Sequence, residues 1–178
     1  MGVVWRVLPP GIADTVPLAR WPEAAQERGA PEAWLTGALV WELGPYLRAI
    51  GAVYDADKPT VPSPKRWFPD LSQRDMQAVW AGNPPAGVSA DRAREFYDAE
   101  IAVARTRGSA PGVPAFKLFE NGPPWHVTSE ECAELVRITA QRASVERDPD
   151  PEHHGWRRWG ELVGLFEQGA AADGVITS

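Results

Sequence analysis

Residues 121–132, NGPPWHVTSEEC, bring together the chain's first histidine, a tryptophan, two carboxylates and the sole cysteine. His126 and Cys132 are the residue types of a thiol nucleophile and its base. A cysteine near a helix N-terminus gains thiolate character. The same residues also fit a helix start. With Thr128 as N-cap, Glu131 falls at the third helical position, and the pair forms a capping box. Val127 and Cys132 then occupy the two positions of a hydrophobic staple. Glu130 and Glu131 lie where the helix dipole favours anions. The helix start accounts for five residues at once, so Cys132 is expected to be a buried, inert small hydrophobe. His126 is left over. Beside a helix N-terminus its cationic form is disfavoured, and a neutral ring bonding a backbone carbonyl is expected.

A second cluster lies at DPDPEHHGWRRW, residues 148–159. Adjacent helical residues point about 100° apart, so His153 and His154 do not chelate one ion from a regular helix face. A metal site would need His126 to meet His153 or His154, with carboxylates such as Glu152 or Glu130. No HExxH or H-x-x-x-H spacing supports it. Trp156 and Trp159 share a helix face, with Arg157 and Arg158 off it. Such rings stack on planar or sugar-like ligands and arginines catch anions. The same spacing continues through Val163 and Phe166, which is the pattern of a core seam. The ligand-binding candidates are therefore Trp125, His126, Trp156, Arg157 and Trp159. The prolines at 59, 62 and 64, followed by Lys65 and Arg66, resemble a polyproline ligand, but read better as a stiff surface crossing. No glycine-rich phosphate loop, nucleophile elbow or dinucleotide fingerprint is present, and no cofactor is expected.

The elements that must position these residues follow from periodicity. Residues 3–8, VVWRVL, alternate and end at Pro9–Pro10, as a strand does. A short helix is expected over 22–28. Pro31 opens a predicted helix whose seam is Leu35, Leu39, Leu43, Leu47 and Ile50, joined by Trp34, Ala38 and Trp41, with a kink or break at Gly44–Pro45. Residues 58–70 are loop. Ser72 and Ser89 read as N-caps of two further helices. AFKLF, 115–119, reads as a second strand. Trp125–Val127 returns as a short strand segment, a helix runs from about 129 to 145, and Asp150–Pro151 caps another. Gly174–Ile176 reads as a final strand.

Length and composition bound the rest. The 178 residues suit one domain spanning 1–178, with 44% apolar and 24% charged residues. The expected class is α+β, mainly helical, with four to five helices and a small sheet or ribbon. The net charge of −6 sits mostly in the second half: residues 1–89 hold 8 basic and 9 acidic side chains, residues 90–178 hold 10 and 15. With no basic stripe, nucleic acid is a poor partner. One cysteine excludes an internal disulfide. The start of the chain lacks a signal-peptide pattern and no apolar run spans a bilayer, so a soluble cytoplasmic protein away from membranes is expected. The Ala, Arg, Gly and Pro bias suggests a high-GC bacterial genome. Nine tryptophans and 18 prolines stand out.

FKLFENGPPWHVTSEEC followed by WRRWGELVGLFEQGAAADGVITS resembles the C-terminal half of small uncharacterised actinobacterial proteins, with their Trp-x-Val-Thr-x-Glu-Glu-Cys segment and a closing helix of paired aromatics. The resemblance covers residues 116–178. Pro123–Pro124 stands where a shorter polar turn is the pattern, and no activity comes with the resemblance. Many tryptophans without a catalytic signature point to a nonenzymatic binding or interaction module of the immunity, antitoxin or regulatory type. Trp21, Trp67 or Trp125 would form its contact surface with a protein or small-molecule partner. The alternatives are a metal-binding protein or enzyme built on His126 with His153 or His154, and a ligand pocket lined by Trp125, Trp156 and Trp159.

Overall fold

The computed structural model describes residues 2–108, 110–120, 124–145 and 154–178, without the side chains of 143–145, 154–158 and 161. It is an α+β fold around a four-stranded sheet. Strand β1 (Gly2–Val7) lies centrally, between β2 (Glu32–Thr36) and β6 (Val175–Thr177), and β5 (Trp125–Val127) completes the order β2-β1-β6-β5. Every pairing in this sheet is antiparallel. A separate parallel pair joins β3 (Val53–Tyr54) to β4 (Val113–Pro114).

Alternation along β1 gives the sheet two buried faces. Val3, Trp5 and Val7 face α2 (Gly37–Ala49), α7 (Ser129–Val145) and α8 (His154–Ala171), in a core that includes Leu43, Leu47, Leu135, Trp159 and Phe166. On the other face Ile176 joins Leu8, Ile12, Leu18, Trp21 and Ala25, the last two on α1 (Trp21–Glu27). A satellite cluster of Phe68, Val79 and Phe96 ties α3 (Pro64–Trp67) and α4 (Gln73–Trp80) to α5 (Ala90–Ala104). Burying about 25 cal/mol per Å² of apolar surface, these clusters are the main source of stability.

The expected α+β class is present. Eight α-helices among the described residues exceed the four to five expected, because the loop at 58–70 contains the single turn α3 and AFKLF is a turn of helix. That segment, α6 (Ala115–Phe119), was expected as a strand. Residues 115–118 are all buried, so the run has no polar face to reveal its period, and an apolar run of this length fits either element.

The helix expected from Pro31 is also corrected. Its first part is β2, which alternates: Leu35 is buried while Glu32, Trp34 and Thr36 are exposed. Thr36 then caps α2, its hydroxyl accepting the Leu39 amide. Pro45 does not break α2. It sits on the exposed side, as does Trp41, whose carbonyl it leaves without a helical donor at the solvent-facing surface. Ser72 and Ser89 cap α4 and α5 as expected.

Candidate functional site

The stretch that opened the sequence folds as a strand, a corner and a helix start. Thr128 Oγ1 accepts the Glu131 amide at 3.2 Å, and Glu131 Oε2 accepts the Thr128 amide at 2.9 Å. The capping box is complete. Cys132 is fully buried, 3.7 Å from the Val127 carbonyl, and burial followed by the nearby Glu131 charge pushes its thiol up. A nucleophile needs the opposite shift.

His126 lies on β5 opposite Ile176. Its Nδ1 accepts from Arg105 Nε at 3.1 Å, and its Nε2 lies 2.6 Å from the Asp173 carbonyl. These partners assign the neutral tautomer with the proton on Nε2. Trp21 packs edge-on against the ring at 5.3 Å. Burial, and secondarily the Arg105 charge against the Asp173 bond, holds the imidazole down at about 4. The expected carbonyl partner is there, on a strand. With both nitrogens engaged, a proton or metal reaches the ring only by displacing Arg105.

A cleft of about 420 Å³ opens beside this ring, bordered by Asp14, Arg105, Glu130 and Asp173. The approach of the chain to His126 depends on Gly174, which has φ +108°. A Cβ there would stand 2.2 Å from the Val127 carbonyl oxygen and 2.9 Å from His126 Nε2. Gly174→Ala is expected to cost about 2–4 kcal/mol of stability, combining backbone strain with the clash, as read by chemical denaturation. A cost below about 0.5 kcal/mol, the range of neutral surface changes, would reject this role.

Sequence reasoning missed a buried ion pair that shares the capping-box glutamate. Lys117 on α6 and Glu131 on α7 are both fully buried, with Nζ at 2.9 and 2.8 Å from the two carboxylate oxygens. Burial pulls the Lys117 ammonium down, and Glu131 opposes that pull. The pair and the capping box share Glu131, so α6 is clamped to the start of α7. The available signal was a lysine within an apolar run.

Among the other candidates, Glu152 and His153 lie outside the described residues. His154, Trp156 and Arg157 are placed only as backbone in α8. No group of three His, Cys, Asp or Glu with metal-site geometry occurs among the described residues. Trp159 is fully buried and donates to Thr139 Oγ1 at 3.1 Å, so it belongs to the seam that continues through Phe166. Trp125 is 1% exposed, edge-on to Phe116, and cannot be a docking ring. Trp21 is likewise buried, donating to the Val16 carbonyl. Trp67 is half-buried beneath Arg92, 4.6 Å from its ring. The expected contact surface is therefore corrected: among the described residues the exposed large rings are Trp34, Trp41 and Trp80, at 73%, 81% and 46%.

No described helix is long and apolar enough to cross a membrane. Comparison of the chain with family models, curated proteins and solved structures finds no match.

Proposed function

We propose that this chain is a nonenzymatic protein-interaction module of a bacterium, of the immunity, antitoxin or regulatory kind, that meets its partner at the β2–α2 surface. The observation that carries the reading is the exposure of Trp34 and Trp41. Tryptophan is the most enriched residue at binding hot spots, and an isolated domain gains nothing from leaving two indoles in water. The polar groups around His126 and Lys117 are meanwhile consumed in holding the fold together.

The strand carrying Trp34 supports the same surface. Val4 exchanges both backbone bonds with Ser178, at 2.8 and 3.0 Å, and Val7 donates to the Pro31 carbonyl. Even-numbered residues of β1 therefore bond toward β6, and odd-numbered ones toward β2. By antiparallel alternation, the amides and carbonyls of Glu32, Trp34 and Thr36 point away from the sheet. Such an edge accepts an added strand, with side-chain pockets giving specificity. On α2 the exposed side carries Ala38, Trp41, Pro45 and Ala49, an apolar row at helical spacing.

Affinity purification from the source cells tests the reading. The wild type is expected to retain a stoichiometric protein partner. The double variant Trp34→Ala/Trp41→Ala is expected to lose it while unfolding within about 0.5 kcal/mol of wild type. Absence of any stoichiometric partner, or a partner that the double variant still holds, rejects the proposal.

A further inference from the structure

The third exposed indole stands apart from the β2–α2 surface and has a different setting. Trp80 ends α4 and borders a cleft of about 640 Å³, within the range of small-molecule pockets. The facing wall is the start of α1 and the turn before it, with Arg20 and Glu23. Gln77 and Asn83 stand on the Trp80 side.

Glu100 on α5 is 1% exposed, and the Trp80 side chain is the polar neighbour that offsets part of the upward shift burial gives its carboxyl. Its Oε2 is buried without a partner among the described residues. A buried carboxyl with an unpaired oxygen costs stability. Here it adjoins the half-exposed Trp80 ring that borders the cleft.

We propose that the cleft beside Trp80 binds a neutral pyranose sugar, with the indole as its stacking platform. Four features select that chemistry. An aromatic ring carries negative charge density on its faces, which suits the weakly positive C–H face of a pyranose. Gln77 and Asn83 amides both donate and accept, as sugar hydroxyls do. Arg20 and Glu23 form an ion pair at 3.4 Å, so the wall offers no net charge to an anion. A cage for a quaternary ammonium surrounds it with rings, and this cleft has one. Glu100 is a positioning residue that acts through Trp80 without touching the sugar.

The test is a titration of the full chain followed by ¹H–¹⁵N correlation of the indole N–H groups, with the Trp80 signal identified by its absence in Trp80→Phe. The probes are the methyl glycosides of glucose, mannose and N-acetylglucosamine, with adenosine as a planar control. The expected result is a saturable shift of the Trp80 signal with at least one glycoside. Trp80→Ala should weaken that binding by about tenfold or more, the equivalent of one stacked aromatic contact. Gln77→Ala, on the exposed side of α4, should weaken it without altering the fold. Glu100→Gln keeps an acceptor for the indole and should retain binding, whereas Glu100→Leu should weaken it. The proposal is overturned by the absence of any glycoside shift at high millimolar concentration. Shifts that survive both Trp80→Ala and Gln77→Ala overturn it, and so does binding of adenosine alone.

Discussion

Lys117→Met is expected to lower the unfolding free energy by about 3–5 kcal/mol. The reason is what remains after the change. Glu131 is fully buried and holds two bonds from Lys117 Nζ and one from the Thr128 amide. Without the ammonium, a carboxylate stays in the core with one donor. The loss extends beyond the pair. The Lys117 carbonyl accepts from Thr177 Oγ1 at 2.6 Å, and the Leu118 carbonyl accepts from the Trp5 indole at 2.9 Å. The turn α6 thus ties the two central strands to the start of α7, and a weakened pair loosens all three. Lys117→Met combined with Glu131→Leu removes both buried charges and is expected to recover most of the loss. A residual deficit of about 1 kcal/mol should remain, because the double change also deletes half the capping box. Urea unfolding of the three proteins measures this. A loss below about 1 kcal/mol for Lys117→Met, or a double variant as unstable as the single one, would show that the pair does not pin the corner.

What the sequence disclosed and what it withheld divide along contact distance. The start of α7 was legible because a capping box is written within four residues, and every one of its bonds is local. The caps at Ser72 and Ser89 were legible for the same reason, and β1 through its alternation, although its partners lie far along the chain. The partners of His126 were not, since Arg105 and Asp173 are 21 and 47 residues away. The surface was misread through a phase error. Treating 31–50 as one helix placed Trp34 and Trp41 in a seam with Leu35 and Leu43. In the fold, Leu35 points inward from a strand whose alternation turns Trp34 outward. The helix begins only at Gly37, with Leu43, Tyr46 and Leu47 buried and Trp41 opposite them. Conversely, Trp21 and Trp125 flank prolines and were expected on a contact surface, yet both are buried, Trp125 within the strand β5. Ring type alone does not say which side of an element it occupies; the period does, and it changes at Thr36.

His126→Gln is expected to remove one of two opposed contributions to the dependence of stability on pH. The imidazole titrates near 6.5 when unfolded and is held down at about 4 in the fold, chiefly by burial. Between these values the unfolded chain binds the proton and the folded chain does not. Stability from this group is therefore full above pH 6.5 and lost as pH falls toward 4, by about 3 kcal/mol in total. Gln cannot titrate, so the wild-type minus variant difference should follow that curve. Glu100 does the reverse. Its carboxyl is raised from 4.5 to about 7, first by burial and against the Trp80 bond. The fold keeps a proton that the unfolded chain releases, so its contribution declines as pH rises from 4.5 to about 7. Neither group figures among the charges acting on the other, so the two effects should add. The wild-type profile is accordingly expected to be shallow between about pH 4.5 and 6.5, because two opposed slopes cancel. Glu100→Gln should uncover the rising limb of His126, and His126→Gln the falling limb of Glu100. Parallel urea curves across this range decide the matter. Single variants as shallow as the wild type, or a His126 ring that titrates near 6.5 by NMR, would mean the imidazole is not locked between Arg105 and Asp173. An imidazole that stays neutral down to about pH 4, with the two limbs separated, would show that this histidine is a neutral strut of the fold, locked between Arg105 and Asp173.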